Sequence, residues 1–328
     1  MITPVWPELE PIIKKGRAAV PLEQMPLALA RSTMDRTLIR WAGEVPVLCD
    51  MRDIHVPGPS GSGIRVRIYT PRATAESARP AIVMFHGGGF VLGSIEAQDA
   101  LAHRVAIGCD SVVISLDYRL APENPFPAAL QDGMSVYSWV RASGGEFGID
   151  GRVGVLGESA GATIAVAVAM TARDQGQPPL GAFLAYPPLS AAMKTDSWQE
   201  LGTDYWLTRE TMTWFWQQYL GPEPRPKSGY AEPLHSPSFV GLPPTILIAA
   251  GLDPLRDEIA LFHRMLKESG VAVSHEVVHG AIHGFLSMPT LSSRAARLLD
   301  QYIAMFASIV RRPAASAPKL RGGSADGE

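Results

Sequence analysis

Cysteine is nearly absent: Cys49 and Cys109 are the only two in 328 residues. Two are too few for a disulfide framework or a cysteine-built zinc site, and both sit among apolar neighbours, where a buried free thiol is the expected role. An excess of one charge sign is missing as well. Charged residues make up 19% of the chain and the formal net charge is -3, which leaves no broad electrostatic footprint for nucleic acid or an anionic membrane. The longest apolar stretches, such as residues 160–172, are too short to span a bilayer and rich in small residues. Glu8, Glu10, Lys14, Lys15 and Arg17 interrupt the N-terminus and exclude a signal-peptide pattern. No internal repeat is visible. The expectation is a cytoplasmic protein with no integral membrane segment and no nucleic-acid partner, acting on a small, mostly neutral molecule. A homodimer is compatible with the sequence but not dictated by it.

What is present is apolar mass, 46% of the residues, ample for a large core. Residues 1–45 read as amphipathic helix, broken into short pieces at Pro7, Pro11, Pro21 and Pro26. From Met51 the period changes. Residues 53–56 and 64–69 alternate as half-buried strands do, across a turn that holds Pro57, Gly58, Pro59, Ser60 and Gly61. Continuous apolar runs follow at 81–85, 111–116, 152–156, 182–186, 245–249 and 273–278. Such runs, separated by helical stretches, predict an α/β fold: a mainly parallel sheet covered on both faces.

One stretch breaks the alternation. Residues 190–235 carry Trp198, Tyr205, Trp206, Trp214, Phe215, Trp216 and Tyr219, too long and too aromatic for an ordinary crossover, and they read as part of a lid. The connection 221–226 is turn-rich, and the tail 311–328, with Pro313, Pro318, Gly322 and Gly323, is expected to be disordered. The predicted organisation is therefore 1–50 as helices contributing to a cap, 51–189 and 236–310 as the core, and 190–235 as a cap insertion.

Gly157-Glu158-Ser159-Ala160-Gly161 follows the run 152–156 directly and precedes an alanine-rich helical stretch. This is what a nucleophile elbow requires: the flanking glycines let strand and helix approach closely, and the serine sits in a strained turn at a helix N-terminus. The five-residue pattern alone arises by chance; its place between strand and helix makes it informative. His86-Gly87-Gly88-Gly89-Phe90 follows the run 81–85, and consecutive glycines can aim several backbone N–H groups at one point, as an oxyanion hole needs. A P-loop would continue into Gly-Lys-Ser/Thr, and a dinucleotide fingerprint would need glycine where Leu92 stands. A purely structural turn gives no reason for three glycines at this place.

Asp253 follows the run 245–250 and can orient a histidine from a strand end. Asp257 and Glu258 compete, but they fall in the first turn of the next helix, where acids commonly complement the dipole; Asp257 is the runner-up. His283 lies in a loop after the last strand. His279, four residues earlier, is expected to be a strand-end residue with a structural hydrogen bond, since the glutamate of a His-Glu-x-x-His zinc motif is missing and Gly280 disfavours a helix. The order Ser159, Asp253, His283 suits this fold.

With these residues in hand, the chain resembles the bacterial hormone-sensitive-lipase-like (family IV) esterases of the α/β-hydrolase superfamily. The matching pieces are residues 86–90, 117–123, 157–161, 253–258 and 283–285, in the family's order. One departure is Glu158, where the family usually carries Asp, and it puts the local supporting hydrogen bonds in question. The resemblance implies an α/β-hydrolase fold, an oxyanion hole from the amides of Gly88, Gly89 and Ala160, and a cap built from the N-terminal helices and the aromatic insertion. It further implies a bracing role for 117–123 and cis bonds before Pro122 and Pro127. The expected activity is hydrolysis of short- to medium-chain carboxylic esters through Ser159, His283 and Asp253, with no metal or organic cofactor. Phe90, Tyr205, Trp206 and Leu207 are the expected pocket residues. An amidase or deacetylase, or a non-catalytic receptor on the same fold, are the competing readings; the presence of all three triad residues argues against the receptor.

Overall fold

A computed structural model describes residues 3–44, 48–59, 61–72, 78–222 and 228–312. Ser60 of the first turn, positions 223–226 of the turn-rich connection and positions 313–328 of the tail, on which expectations were placed, lie outside the described residues.

Proline punctuates the N-terminal region. Helix α1 (Glu10–Ala18) carries Pro11 in its first turn, and α2 (Leu27–Ala42) begins directly after Pro26, places where proline's missing N–H is not needed. The alternating segments form an antiparallel hairpin of β1 (Cys49–Pro57) and β2 (Gly63–Pro71). Strand–helix alternation then runs through β3 (Arg79–Phe85), α3 (Asp99–Cys109), β4 (Val112–Leu116), α4 (Ala128–Ser143), β5 (Ile149–Glu158), α5 (Ala160–Asp174) and β6 (Ala182–Ala185). The aromatic segment supplies α6 (Asp196–Leu201) and α7 (Arg209–Leu220). The chain closes with β7 (Thr245–Leu252), α8 (Arg256–Glu268), β8 (Val273–Ile282) and α9 (Ser293–Val310).

Among the described residues eight strands make one sheet, in the order β1-β2-β4-β3-β5-β6-β7-β8. Of these eight, β2 alone is reversed, pairing antiparallel with β1 and with β4; every pairing from β4 to β8 is parallel. Strands β4, β6 and β7 are buried at every position, as the continuous apolar runs require when helices cover both faces. β8 is longer than the run 273–278 suggested. It continues through His279, whose side chain is exposed and whose backbone carbonyl accepts the Trp6 indole N–H at 2.9 Å. His279 is thus within the strand, and its backbone, not its imidazole, makes that structural bond.

The N-terminal helices and the aromatic segment pack on one another. Trp206 sits edge-on to Trp41 of α2, with ring centroids 5.0 Å apart, and against Gly16 of α1, where an added Cβ would lie 3.3 Å from the indole. Arg17 donates to the Asp204 carbonyl at 2.7 Å. Thr208 caps α7 by accepting the Thr211 N–H, and the Thr211 hydroxyl reaches Glu23 at 2.9 Å. Trp206→Ala is therefore expected to cost about 2 kcal/mol of stability, below the 3–5 of a fully buried tryptophan because this one is half-buried. Urea unfolding checks this; an unchanged midpoint would show that Trp206 does not tie the two segments together.

Candidate active site

The elbow is built by close approach. A Cβ on Gly157 would collide with the Gly161 carbonyl, and one on Gly161 with the carbonyls of Phe85 and His86. Glycine at both positions lets β5, α5 and the end of β3 touch through backbone. Ser159, between strand and helix, takes φ 52° and ψ -123°, and its N–H donates to the Ala185 carbonyl at the end of β6 at 2.9 Å.

Parallel pairing brings the other two residues to it. Leu252 of β7 is the register partner of Ile282 of β8, beside a register shift after Ala250, so Asp253 and His283 leave the sheet side by side. His283 Nε2 lies 2.8 Å from Ser159 Oγ, and His283 Nδ1 lies 2.7 Å from Asp253 Oδ2. Asp253 is fully buried and its other oxygen accepts the Leu255 N–H at 3.0 Å, so both carboxylate oxygens are paired and its position is fixed. Because Asp253 can only accept, His283 Nδ1 carries the proton and Nε2 faces the serine. Asp257 is elsewhere: its carboxylate accepts the Ser197 N–H at 2.9 Å and pairs with Arg256.

The glycine-rich loop lies against the elbow, since a Cβ on Gly87 would stand 3.6 Å from Ser159 Cβ. His86 is buried and stacked on Tyr118, and burial pushes its pKa down; its Nδ1 donates to the Gly87 carbonyl at 2.8 Å while its own carbonyl accepts the Tyr118 hydroxyl at 2.8 Å. The N–H groups of Gly88, Gly89 and Ala160 donate to no partner among the described residues. The 117–123 stretch braces this loop from behind. Phe90 accepts the Ala121 N–H, Arg119 pairs with buried Asp132 at 2.8 Å, and Glu123 pairs with Arg31, which also donates to the Val91 carbonyl. The bonds before Pro122 and Pro127 are cis.

Glu158 keeps a full set of supporting hydrogen bonds despite its extra methylene. Its buried carboxylate accepts the Tyr186 hydroxyl, the Ser287 hydroxyl at 2.6 and 2.7 Å, and the Gln98 amide at 2.6 Å. Burial pushes its pKa up against the pull of these donors. Tyr186 in turn meets the His283 ring edge-on at 4.9 Å. These three donors escaped sequence reasoning; the signal available was an acid beside the elbow, which once buried must find donors.

Of the expected pocket residues, Phe90 is buried and stacked on Tyr219 at 3.8 Å. Leu207 is buried, while Tyr205 and Trp206 turn to the N-terminal segment, Tyr205 lining an open cleft with Pro4, Ile13 and Arg17. No group of His, Cys, Asp and Glu suited to a metal ion occurs among the described residues, nor any helix long and apolar enough to cross a membrane.

A serine in a strained strand-to-helix turn, hydrogen-bonded to a histidine that a buried carboxylate orients, belongs to the serine hydrolases, here on a mostly parallel sheet. The family model of the α/β-hydrolase fold matches residues 82–287, and the chain belongs to that family, among its hormone-sensitive-lipase-like members. It is similar to the carboxylic ester hydrolase LipN of Mycobacterium tuberculosis, 36% identical over 262 residues that cover 77% of this chain and 69% of LipN. Ethyl acetate hydrolase of Pseudomonas putida is 29% identical across 87% of this chain and 92% of its own. An esterase structure from Pyrobaculum calidifontis superposes with a TM-score of 0.84 at 35% identity, covering 93% of this chain and 99% of that one. The chain is an enzyme, a carboxylic ester hydrolase.

Glu258, next to the site in α8, yields a pH test. Buried, and accepting the Leu189 N–H at 2.8 Å, its carboxyl is pushed up by burial from 4.5 to about 8. The folded value lies above the unfolded one, so its contribution is fully present below pH 4.5 and is lost as pH rises through about 8. Glu258→Gln should remove that slope and gain on the parent across this window by on the order of a few kcal/mol. Urea midpoints at mildly acidic and mildly alkaline pH measure it; parallel slopes for both proteins would contradict the assignment.

Proposed function

We propose that the enzyme cleaves carboxylic esters of short to medium acyl chain by two-step acyl transfer on Ser159. The observation that carries this reading is the continuous hydrogen-bonded line from Ser159 Oγ through His283 to Asp253, 2.8 and 2.7 Å long. His283 Nε2 takes the hydroxyl proton as Ser159 attacks the ester carbonyl, and Asp253 stabilises the imidazolium that forms. The amides of Gly88, Gly89 and Ala160 receive the oxyanion. His283 then passes its proton to the leaving alcohol, and water activated by the same nitrogen releases the acid.

Residues 190–235 with residues 1–50 act as the cap; the support is their mutual packing through Trp206, Trp41 and Arg17 and the aromatic face that α7 turns toward Phe90. Residues 51–189 and 236–310 form the catalytic core in this reading. The cap is aromatic without a membrane-seeking character, which supports short or medium acyl groups over interfacial fats, in keeping with the relative named as an ethyl acetate hydrolase. Cys49 and Cys109 are buried free thiols, which suits a reducing cytoplasm.

Ser159→Ala should abolish nearly all p-nitrophenyl ester turnover in a folded protein, because the three residues act as a unit. Substantial residual activity would move the nucleophile elsewhere. Asp253→Asn should cost about 10⁴-fold in kcat and Asp257→Asn far less; the reverse ranking would reassign the orienting acid. Across p-nitrophenyl esters of increasing acyl length, kcat/KM should peak at short or medium chains, and a peak at long chains would overturn the proposed substrate range.

A further inference from the structure

The oxyanion loop has an unusual backbone. Gly88, Gly89 and Phe90 take φ 126°, 62° and 67° in succession, and a non-glycine residue in that region costs of order 1 kcal/mol or more. The two glycines adopt such angles freely, so the cost falls on Phe90, whose conformation needs restraint from outside. Leu92 N–H to the Gly88 carbonyl, at 2.8 Å, closes one side. Helix α7 supplies the rest through one face. Tyr219 stacks on Phe90 at 3.8 Å and 12°, Trp216 lies 5.4 Å from the same ring, and Phe215 is seated on Gly89 so closely that a Cβ there would fall onto its ring carbons. All three α7 aromatics are buried. The end of α7 is tied down in turn, as the Tyr219 carbonyl accepts the Phe126 N–H at 2.7 Å.

Gly89 therefore has two reasons to be glycine: its φ, and the space that Phe215 occupies. We propose that Phe215 is a positioning residue for the reaction, holding the Gly89 amide on the developing oxyanion, so that the aromatic segment completes the oxyanion hole as well as covering the site. The proposal rests on reading the Gly88 and Gly89 amides as the oxyanion donors. Because the contact is to backbone that serves every ester alike, its loss should appear in kcat for all acyl lengths, not in selectivity.

The test compares the parent, Phe215→Ala and Phe215→Leu for kcat and KM with acetate and hexanoate p-nitrophenyl esters. It adds the affinity for a trifluoromethyl ketone against the matching methyl ketone. Ser159 Oγ adds to the activated ketone carbon, its proton passing to His283, and the hemiketal oxygen left behind is an oxyanion. Misplacing one donor should lower kcat of Phe215→Ala roughly 10–100-fold, with KM within a few-fold, somewhat less than deleting a donor outright. Trifluoromethyl ketone affinity should fall by a similar factor and methyl ketone affinity should not. Phe215→Leu, which keeps most of the volume, should fall in between, and it decides the matter if the alanine variant melts early. Unchanged kcat in a folded variant, or a loss confined to the longer ester, overturns the positioning role. A parent enzyme that binds both ketones equally would instead remove the oxyanion reading beneath it.

Discussion

Ser159 is held in a backbone conformation that L-residues avoid, φ 52° and ψ -123°, at a cost of order 1–3 kcal/mol. The surrounding fold has to maintain it. Gly157 and Gly161 bring β5, α5 and the end of β3 into backbone contact, the Ser159 amide is tied to β6, and the alanine-rich first turns of α5 are buried without a gap. Strain is tolerable here because it sits at the centre of the most completely buried part of the sheet, where β4, β6 and β7 leave nothing exposed. A serine on a relaxed turn would lie lower, and His283, delivered by a strand three places away in the sheet order, would not meet its hydroxyl.

The polar groups around this turn are handled alike. Three of the buried acids show this: Asp253 takes His283 and the Leu255 amide, Glu158 takes Tyr186, Ser287 and Gln98, and Asp132 takes Arg119. An unpaired carboxylate at these depths would cost several kcal/mol or protonate. The donors come from separate strands and loops, so the same bonds that satisfy the acids also fix the loops carrying the site.

The local part of this was legible in the chain. Residues 157–161 and 86–90 announce themselves because strand, glycine and helix follow within a few positions, and Asp253 and His283 because each follows an apolar run. The long-range part was not. The register that pairs Leu252 with Ile282, and the meeting of residues 98, 186 and 287 on Glu158, depend on sheet order. His279 is expected at a strand end, but β8 runs on past it, with Gly280 at φ 78° inside the strand beside the register shift between β7 and β8. In the aromatic segment, Trp206 is an expected pocket residue, yet it packs on Gly16 and Trp41. The residue seated on the oxyanion loop, Phe215, could not be told from its neighbours until the face α7 buries was known.

The central claim is that acyl transfer passes through Ser159. Rapid-quench mass spectrometry during turnover of a p-nitrophenyl ester tests it most directly. The account predicts a burst of p-nitrophenol matched by protein heavier by one acyl group, with the acyl on the peptide containing Ser159. An acyl group on another residue, or a burst with no acylated protein, would contradict it.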